Sequence, residues 1–145
     1  MKQSEIKQSG LQQVNEIFEQ LQPHSEKYLI ASNLSWQSVG TPRLENGQEV
    51  MGSEIQRMIM GYDKSLMVAQ VKFEKGAVSA PHAHVHAQST YVVSGKFKVK
   101  IGDEEKVLQG GDGFWIPSGV LHGATCLEAG ILIDAFSPIR ADFIE

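Results

Sequence analysis

Short apolar runs alternate with turn-forming residues through most of the chain from residue 54 onward. The run KFKVKI at 96–101 alternates strictly between apolar side chains and lysines, which is typical of a strand with one buried and one solvated face. Such runs recur about every 8 to 12 residues with glycine or proline between them, a spacing typical of a sandwich or barrel. We therefore predict an all-β fold with strands at 55–60, 66–73, 88–93, 96–101, 105–108, 113–116, 122–127 and 131–136.

The segments between these strands suggest how the chain turns. Ser94-Gly95 and Gly102-Asp103 fit hairpin turns, so each is expected to reverse the chain direction. Cys126 is expected to be a core or barrel-wall residue. Three aromatic residues of the predicted strands are expected in the core, with the wall of a binding cavity as the alternative: Tyr91, Phe114 and Trp115.

The N-terminal part of the chain has a different pattern. Four apolar residues in the segment 11–22 recur at helical spacing and predict an amphipathic helix that ends before Pro23: Val14, Ile17, Phe18 and Leu21. Residues 23–53 contain turn-forming stretches and suggest a long connection with one strand. We therefore divide the chain into an N-terminal extension with one helix, residues 1–50, and a β-domain, residues 51–145.

Composition and charge exclude several classes of protein. The chain has 145 residues, of which 41% are hydrophobic, and a net charge of -4, which argues against a nucleic-acid partner. No apolar run approaches the roughly 18 residues of a membrane span, and the N-terminus lacks the apolar region of a secretory signal. A single cysteine rules out an internal disulfide. These features predict a cytoplasmic protein without a membrane partner.

Four of the 5 histidines lie in two short segments, PHAHVHAQ and PSGVLHG. In an extended strand His82, His84 and Gln88 point to one face, so their side chains can converge. Imidazole nitrogens bind borderline divalent ions, and His122 on a separate strand could complete the set. A lone histidine on a strand is ordinary, but this spacing favours a metal site.

The spacing around these histidines resembles the two signature motifs of the cupins. The first segment has Gly76, His82-x-His84, Gln88 and Gly95, and the second has Gly111, Pro117-x-Gly119 and His122. The resemblance implies a single-domain double-stranded β-helix, a small jelly-roll barrel, with one metal inside. Gln88 stands where most cupins carry Glu. A neutral ligand set leaves the full charge of a divalent ion in place, which favours an anionic substrate and Lewis-acid chemistry.

The C-terminal stretch ILIDAFSPIRADFIE places Asp134 inside an apolar strand. Such a residue is costly unless it is paired or functional, so the alternatives are an Asp134–Arg140 ion pair or a general acid/base beside an arginine that clamps a carboxylate. With the histidine motif, this ending resembles the KdgF-type small cupins of pectin and alginate breakdown. The resemblance implies a divalent metal (Ni, Zn, Mn or Fe) on His82, His84, Gln88 and His122, and functional roles for Asp134, Phe136 and Arg140.

The resemblance also implies an activity and partners. The expected reaction is the ring opening of 4,5-unsaturated uronate monosaccharides to linear keto sugar acids, so the expected partner is a small anionic sugar. The alternatives are a cupin oxygenase, lyase or isomerase of another small anion, and a non-catalytic cupin that binds a sugar or a metal. A homodimer is expected by analogy with other cupins.

Overall fold

The computed structural model describes Gly10, Gln12, Gln13 and residues 23–144. Apart from two 3₁₀ turns at Ala31–Asn33 and Ala141–Phe143, the regular elements of 23–144 are strands. The prediction of an all-β fold is therefore confirmed for this part of the chain. The strands are β1 (Gln37–Ser38), β2 (Pro42–Glu45), β3 (Gln48–Met51), β4 (Ile55–Tyr62), β5 (Met67–Phe73), β6 (Val78–His82), β7 (Ala87–Ile101), β8 (Glu104–Gln109), β9 (Gly113–Ile116) and β10 (His122–Ser137).

Two long antiparallel strands, β7 and β10, form the centre of the fold. The main sheet has the order β1-β4-β5-β10-β7-β8, with β6 also paired to β10 and β9 to β7. The predicted turn at Gly102-Asp103 is confirmed, since β7 pairs antiparallel with β8 directly across it. The first half of β10 pairs with β6 and the second half with β5. In the same way, one half of β7 pairs with β9 and the other with β8, so each long strand contributes to two parts of the barrel wall.

The prediction of two separate strands on either side of Ser94-Gly95 is wrong, and so is the division of 122–136. Each pair of predicted strands is one continuous strand, β7 or β10. Gly95 has φ 84, and a Cβ added to it would lie 2.6 Å from the carbonyl oxygen of Glu128. The ladder between β7 and β10 is irregular at Glu128. The glycine therefore permits a close approach of two strands and does not mark a hairpin.

The barrel interior is filled by side chains from both long strands and their neighbours. The largest buried cluster includes Phe73, Val92, Phe97 and Leu132 together with Cys126, which is 1% exposed, as expected for a core residue. Phe114 packs against this cluster. The prediction of a core position is wrong for two other aromatic residues, since Tyr91 is 50% and Trp115 is 64% exposed.

Residues 23–53 contain more structure than the single predicted strand. β1 pairs with β4 and so joins the main sheet, while β2 and β3 form a separate two-stranded sheet. The predicted helix at 11–22 lies almost entirely outside the described residues, and the division of the chain at residue 51 stays a prediction. No helix among the described residues is long and apolar enough to cross a membrane.

Candidate functional site

Three histidines from two strands and one loop meet inside the barrel. The rings of His82 and His122 have centroids 4.4 Å apart, and those of His84 and His122 are 4.8 Å apart. One nitrogen of each ring lies within 4.8 Å of the corresponding nitrogens of the other two. His82 and His122 are direct partners in the β6–β10 ladder, which explains why residues 40 positions apart in the chain meet. The three residues are therefore positioned to hold one metal ion.

Each of the three rings is held by a backbone carbonyl two residues away. Nδ1 lies 2.9 Å from Ala80 O in His82, 3.0 Å from His86 O in His84 and 2.9 Å from Val120 O in His122. A carbonyl can only accept, so in each case Nδ1–H donates, and the neutral ring carries its lone pair on Nε2. This is the tautomer and the second contact that metal-binding histidines commonly have.

The segment 82–88 is not the extended strand that the argument from side-chain alternation assumed. β6 ends at His82, β7 begins at Ala87, and the residues between them form a bend. A turn in the second motif holds this bend in place, since Gly119 N–H donates to His84 O over 2.8 Å and Ser118 Oγ donates to Val85 O. His84 therefore reaches the cluster from a loop supported by the second motif, and not by strand alternation.

The environment of His122 fits a metal ion. The residue is 6% exposed, and its Nε2 is buried with no hydrogen-bond partner among the described residues. Burial lowers the pKa of His122 and of His84 from the ordinary value, and the neighbouring histidines lower it further, so the neutral, metal-binding form is favoured. An unpartnered lone pair in a buried site is costly unless a ligand takes it up.

Gln88 lies beside this cluster with its amide oxygen towards His84. Oε1 is 3.1 Å from His84 Nε2, while Nε2 of the amide donates to Thr90 Oγ1 over 3.0 Å. Because His84 Nδ1 already donates to a carbonyl, its Nε2 is an acceptor, and two acceptors face each other at this distance. A cation between them removes this conflict, so the donor set fits a metal ion.

The same amide connects the histidine cluster to Asp134. Gln88 Nε2 lies 3.3 Å from Asp134 Oδ1, and Thr90 Oγ1 donates to the same oxygen over 2.6 Å. Burial raises the pKa of Asp134 to about 6, although the hydrogen bonds from Thr90 and Gln88 and the charge of Arg140 act in the opposite direction. Within the described part of the chain no hydrogen bond reaches Oδ2, so this oxygen is available to a ligand.

A cavity of about 510 Å³ is lined by two of the histidines, His82 and His122, and by Asp134. Phe136 lines it and packs edge-on against His84, with ring centroids 5.9 Å apart. The alternative of an Asp134–Arg140 ion pair is wrong, because Arg140 forms a two-bond ion pair with Asp142, at 3.1 Å through Nε and 2.9 Å through Nη2. The structure thus brings all seven residues singled out in the sequence to one region: His82, His84, Gln88, His122, Asp134, Phe136 and Arg140.

Three further residues of this region were missed in the sequence. Thr90 follows Gln88 at the next inward position of β7, so strand alternation could have revealed it. Arg57 also lines the cavity. It is a charged residue inside the apolar run IQRMIM, so the sequence signal that singled out Asp134 could have revealed it too. Phe143 lies in the final 3₁₀ turn, and no pattern in the sequence indicates its position.

The fold and the histidine site are those of a cupin, and comparisons with known proteins agree. The family model described as "Cupin domain" matches residues 69–133. The "Pectin degradation protein KdgF" of Dickeya dadantii (strain 3937) is 42% identical over 102 residues, which cover 69% of this chain and 93% of that protein.

Two solved structures have similar folds. An RmlC-like cupin from Shewanella frigidimarina NCIMB 400 has a TM-score of 0.72 and 38% identity, covering 83% of this chain and 97% of the other. KdgF from Halomonas sp. has a TM-score of 0.70 and 37% identity, covering 82% and 99%. The chain therefore belongs to the KdgF-type small cupins, as the motifs suggested. The expected single barrel of the cupins is confirmed with it.

Proposed function

We propose that the protein is a metal-dependent enzyme that opens the ring of 4,5-unsaturated uronate monosaccharides to give linear keto sugar acids. The similarity to a pectin degradation protein supports a sugar-derived substrate. The observation that carries the proposal is the position of Asp134, a carboxyl group with a pKa of about 6, in the same cavity as His82 and His122 and within hydrogen-bond distance of Gln88. A purely structural metal site has no use for such a group.

The proposed metal ligands are His82, His84, Gln88 and His122. The buried, unpartnered Nε2 of His122 and the two facing acceptors of His84 and Gln88 support this set. All four ligands are neutral, and imidazole and amide donors suit Ni, Zn, Mn or Fe. When bound, a divalent ion supplies Lewis-acid stabilisation of negative charge that develops on oxygen.

Asp134 is proposed to move the proton that the reaction requires. The substrate has a C4=C5 double bond next to its ring oxygen. Opening the ring removes a proton from the hydroxyl at C1, breaks the bond from C1 to the ring oxygen and leaves an aldehyde at C1 and an enolate at C5. Ketonisation then adds a proton at C4, so the net reaction is an isomerisation. A carboxyl group with a pKa of about 6 can accept the first proton and donate the second near neutral pH.

Arg140 and Phe136 are proposed to position the sugar. Arg140 lines the cavity with its guanidinium Cζ 5.2 Å from the centre of the Phe136 ring. A guanidinium matches the geometry of a carboxylate, so Arg140 would orient the acid group of the substrate. Phe136, 3% exposed, would pack against the sugar and exclude water from the reacting atoms.

The direct test follows the loss of the C4=C5 absorbance. Purified protein is loaded with each of the four metals and mixed with an unsaturated uronate monosaccharide. The spontaneous rate and the chelated protein serve as controls. Acceleration that requires metal supports the proposal. Metal and sugar binding without acceleration contradicts it and favours the non-catalytic alternative, and oxygen consumption favours an oxygenase.

We further propose a cytoplasmic homodimer, formed through what we call the apolar face. This face comprises four exposed residues on the outer side of β7, β9 and β10: Tyr91, Val93, Trp115 and Ile133. Tyr91 and Ile133 are direct partners in the β7–β10 ladder, and Trp115 lines the same shallow depression as both. Ultracentrifugation should give a dimer for the wild type and a monomer for Trp115→Glu. A monomeric wild type would contradict the proposal.

A further inference from the structure

Two arginines, Arg57 and Arg140, line the cavity, and Arg57 is the one without a carboxylate partner among the described residues. It lies on β4 opposite Gln37 of β1, and its Nη2 donates to Gln37 Oε1 over 3.1 Å. Its Nε is buried and has no hydrogen-bond partner among the described residues. The group therefore retains a directed donor and its full positive charge.

Arg140 differs from Arg57 in this respect. Its Nε and Nη2 both donate to the carboxylate of Asp142, so its charge and two of its donors are already taken up. The partner of Arg57 is a neutral amide, which balances no charge. An incoming anion therefore meets a guanidinium already in an ion pair at Arg140 and, among the described residues, one without an ion pair at Arg57.

One aromatic ring holds the two arginines close together. The Cζ atoms of Arg57 and Arg140 lie 3.5 Å and 4.2 Å from the centre of the Phe143 ring. Burial lowers the pKa of Arg57 and the charge of Arg140 lowers it further, while the charges of Asp142 and Asp134 act in the opposite direction. Two like charges in a partly buried position repel each other, and an anion bound close to both relieves this repulsion.

We propose that Arg57 binds the carboxylate of the substrate, forms an anion clamp with Arg140, and sets the preference of the cavity for sugar acids over neutral sugars. The proposal rests on the proposed function only for the class of substrate. The clamp binds a saturated sugar acid as well, because recognition needs the carboxylate and not the double bond. Its test therefore needs no turnover.

The test measures binding by calorimetry with two matched probes, galacturonate and its uncharged methyl ester. Wild-type metal-loaded protein should bind galacturonate more tightly than the ester. Arg57→Gln should weaken galacturonate binding about 10- to 100-fold, because a charge-assisted hydrogen bond is lost, and leave ester binding nearly unchanged. The galacturonate affinity of Arg57→Lys should lie between those of the wild type and Arg57→Gln, since lysine keeps the charge but lacks the two parallel N–H donors of the guanidinium. Metal content should not change in either variant.

Lys98→Gln is the matched control. Lys98 is a cation on β7 that pairs with Glu105 over 3.4 Å and does not line the cavity, so Lys98→Gln makes the same change in net charge away from the proposed clamp. The proposal is overturned if Arg57→Gln weakens both probes equally, if it behaves like Lys98→Gln, or if the wild type binds acid and ester equally well. Failure of the ring-opening assay with an intact preference for the acid would contradict the proposed function and not the clamp.

Discussion

The two ends of the cavity hold their functional groups in different ways. At the histidine end (His82, His84 and His122), neutral rings are fixed by backbone carbonyls two residues away. At the arginine end (Arg57, Arg140 and Phe143), two charged groups lie against one aromatic ring and are tethered by side chains. Asp134 lines the same cavity and is hydrogen-bonded to Gln88 beside the histidines. The difference fits the proposed roles, with metal binding at the first end and substrate binding at the second.

The largest effect is expected from a change at the histidine end. His122→Ala should abolish metal binding and reduce the ring-opening rate by about two orders of magnitude or more, towards the spontaneous background. Metal analysis of the purified variant and the absorbance assay measure both effects. His24→Ala is the control, since His24 is exposed, does not line the cavity and has its Nδ1 3.1 Å from the neighbouring carbonyl oxygen of Ser25. Full metal content in His122→Ala would contradict the assignment.

Asp134→Asn should separate chemistry from metal binding. The amide keeps the shape of the side chain but cannot move a proton, so the rate should fall about 10²- to 10⁴-fold with metal content intact. Asp103→Asn in the β7–β8 turn is the matched control. Loss of metal from Asp134→Asn would show that the carboxyl group supports the histidine end and would argue against a role in proton transfer.

The same substitution should change the pH dependence of stability in metal-free protein. Burial raises the pKa of Asp134 from 3.8 to about 6, so the folded state binds this proton more tightly than the unfolded chain does. The contribution is fully present below pH 3.8 and is lost as pH rises through about 6. As pH rises from acid to neutral, the free energy of unfolding of Asp134→Asn should therefore increase by up to about 3 kcal/mol relative to that of the wild type.

Urea unfolding of the two chelated proteins between about pH 4 and pH 8 measures this difference. His84 and His122 act with the opposite sign, because their lowered pKa values make stability fall as pH drops through the ordinary histidine range. Both histidines are present in both proteins, so their contribution largely cancels in the difference. Parallel stability curves would contradict the raised pKa of Asp134.

The smallest effect is expected at the arginine end. Phe143→Leu removes the ring against which both guanidinium groups lie, and a cation–π contact contributes about 0.5 to 2 kcal/mol. We expect KM to rise about 3- to 10-fold with little change in kcat or metal content. Phe97→Leu, which disturbs a core pair with Phe73 and lies outside the cavity lining, should lower the melting temperature without changing KM. A fall in metal content in Phe143→Leu would mean that the two ends are not independent.

The histidine end could be predicted from the sequence because its residues lie in two short motifs and its supporting contacts are local. Strand alternation nevertheless does not explain how the histidines meet, since His84 lies in a bend that Gly119 supports and not in a strand. The local pattern alone does not show that support, because residues 84 and 119 are far apart in the chain.

The arginine end and the long strands could not be predicted in the same way. Arg57 and Phe143 meet only because β4 and the final 3₁₀ turn lie at the same part of the barrel. Ser94-Gly95 has the composition of a turn, but the glycine is there for the close approach of β10. Tyr91 and Trp115 were placed in the core because apolar side chains are normally buried, whereas the structure has them on the outer face.

The most direct test of the central claim is turnover of the unsaturated uronate in deuterium oxide, with the product analysed by NMR at early times, before exchange beside the C5 ketone. Delivery of the proton from Asp134 on one side of the cavity predicts one deuterium at C4 in a single configuration. The spontaneous reaction and Asp134→Asn serve as references. Deuterium in both configurations at the spontaneous ratio, in wild-type protein loaded with metal, would contradict the account.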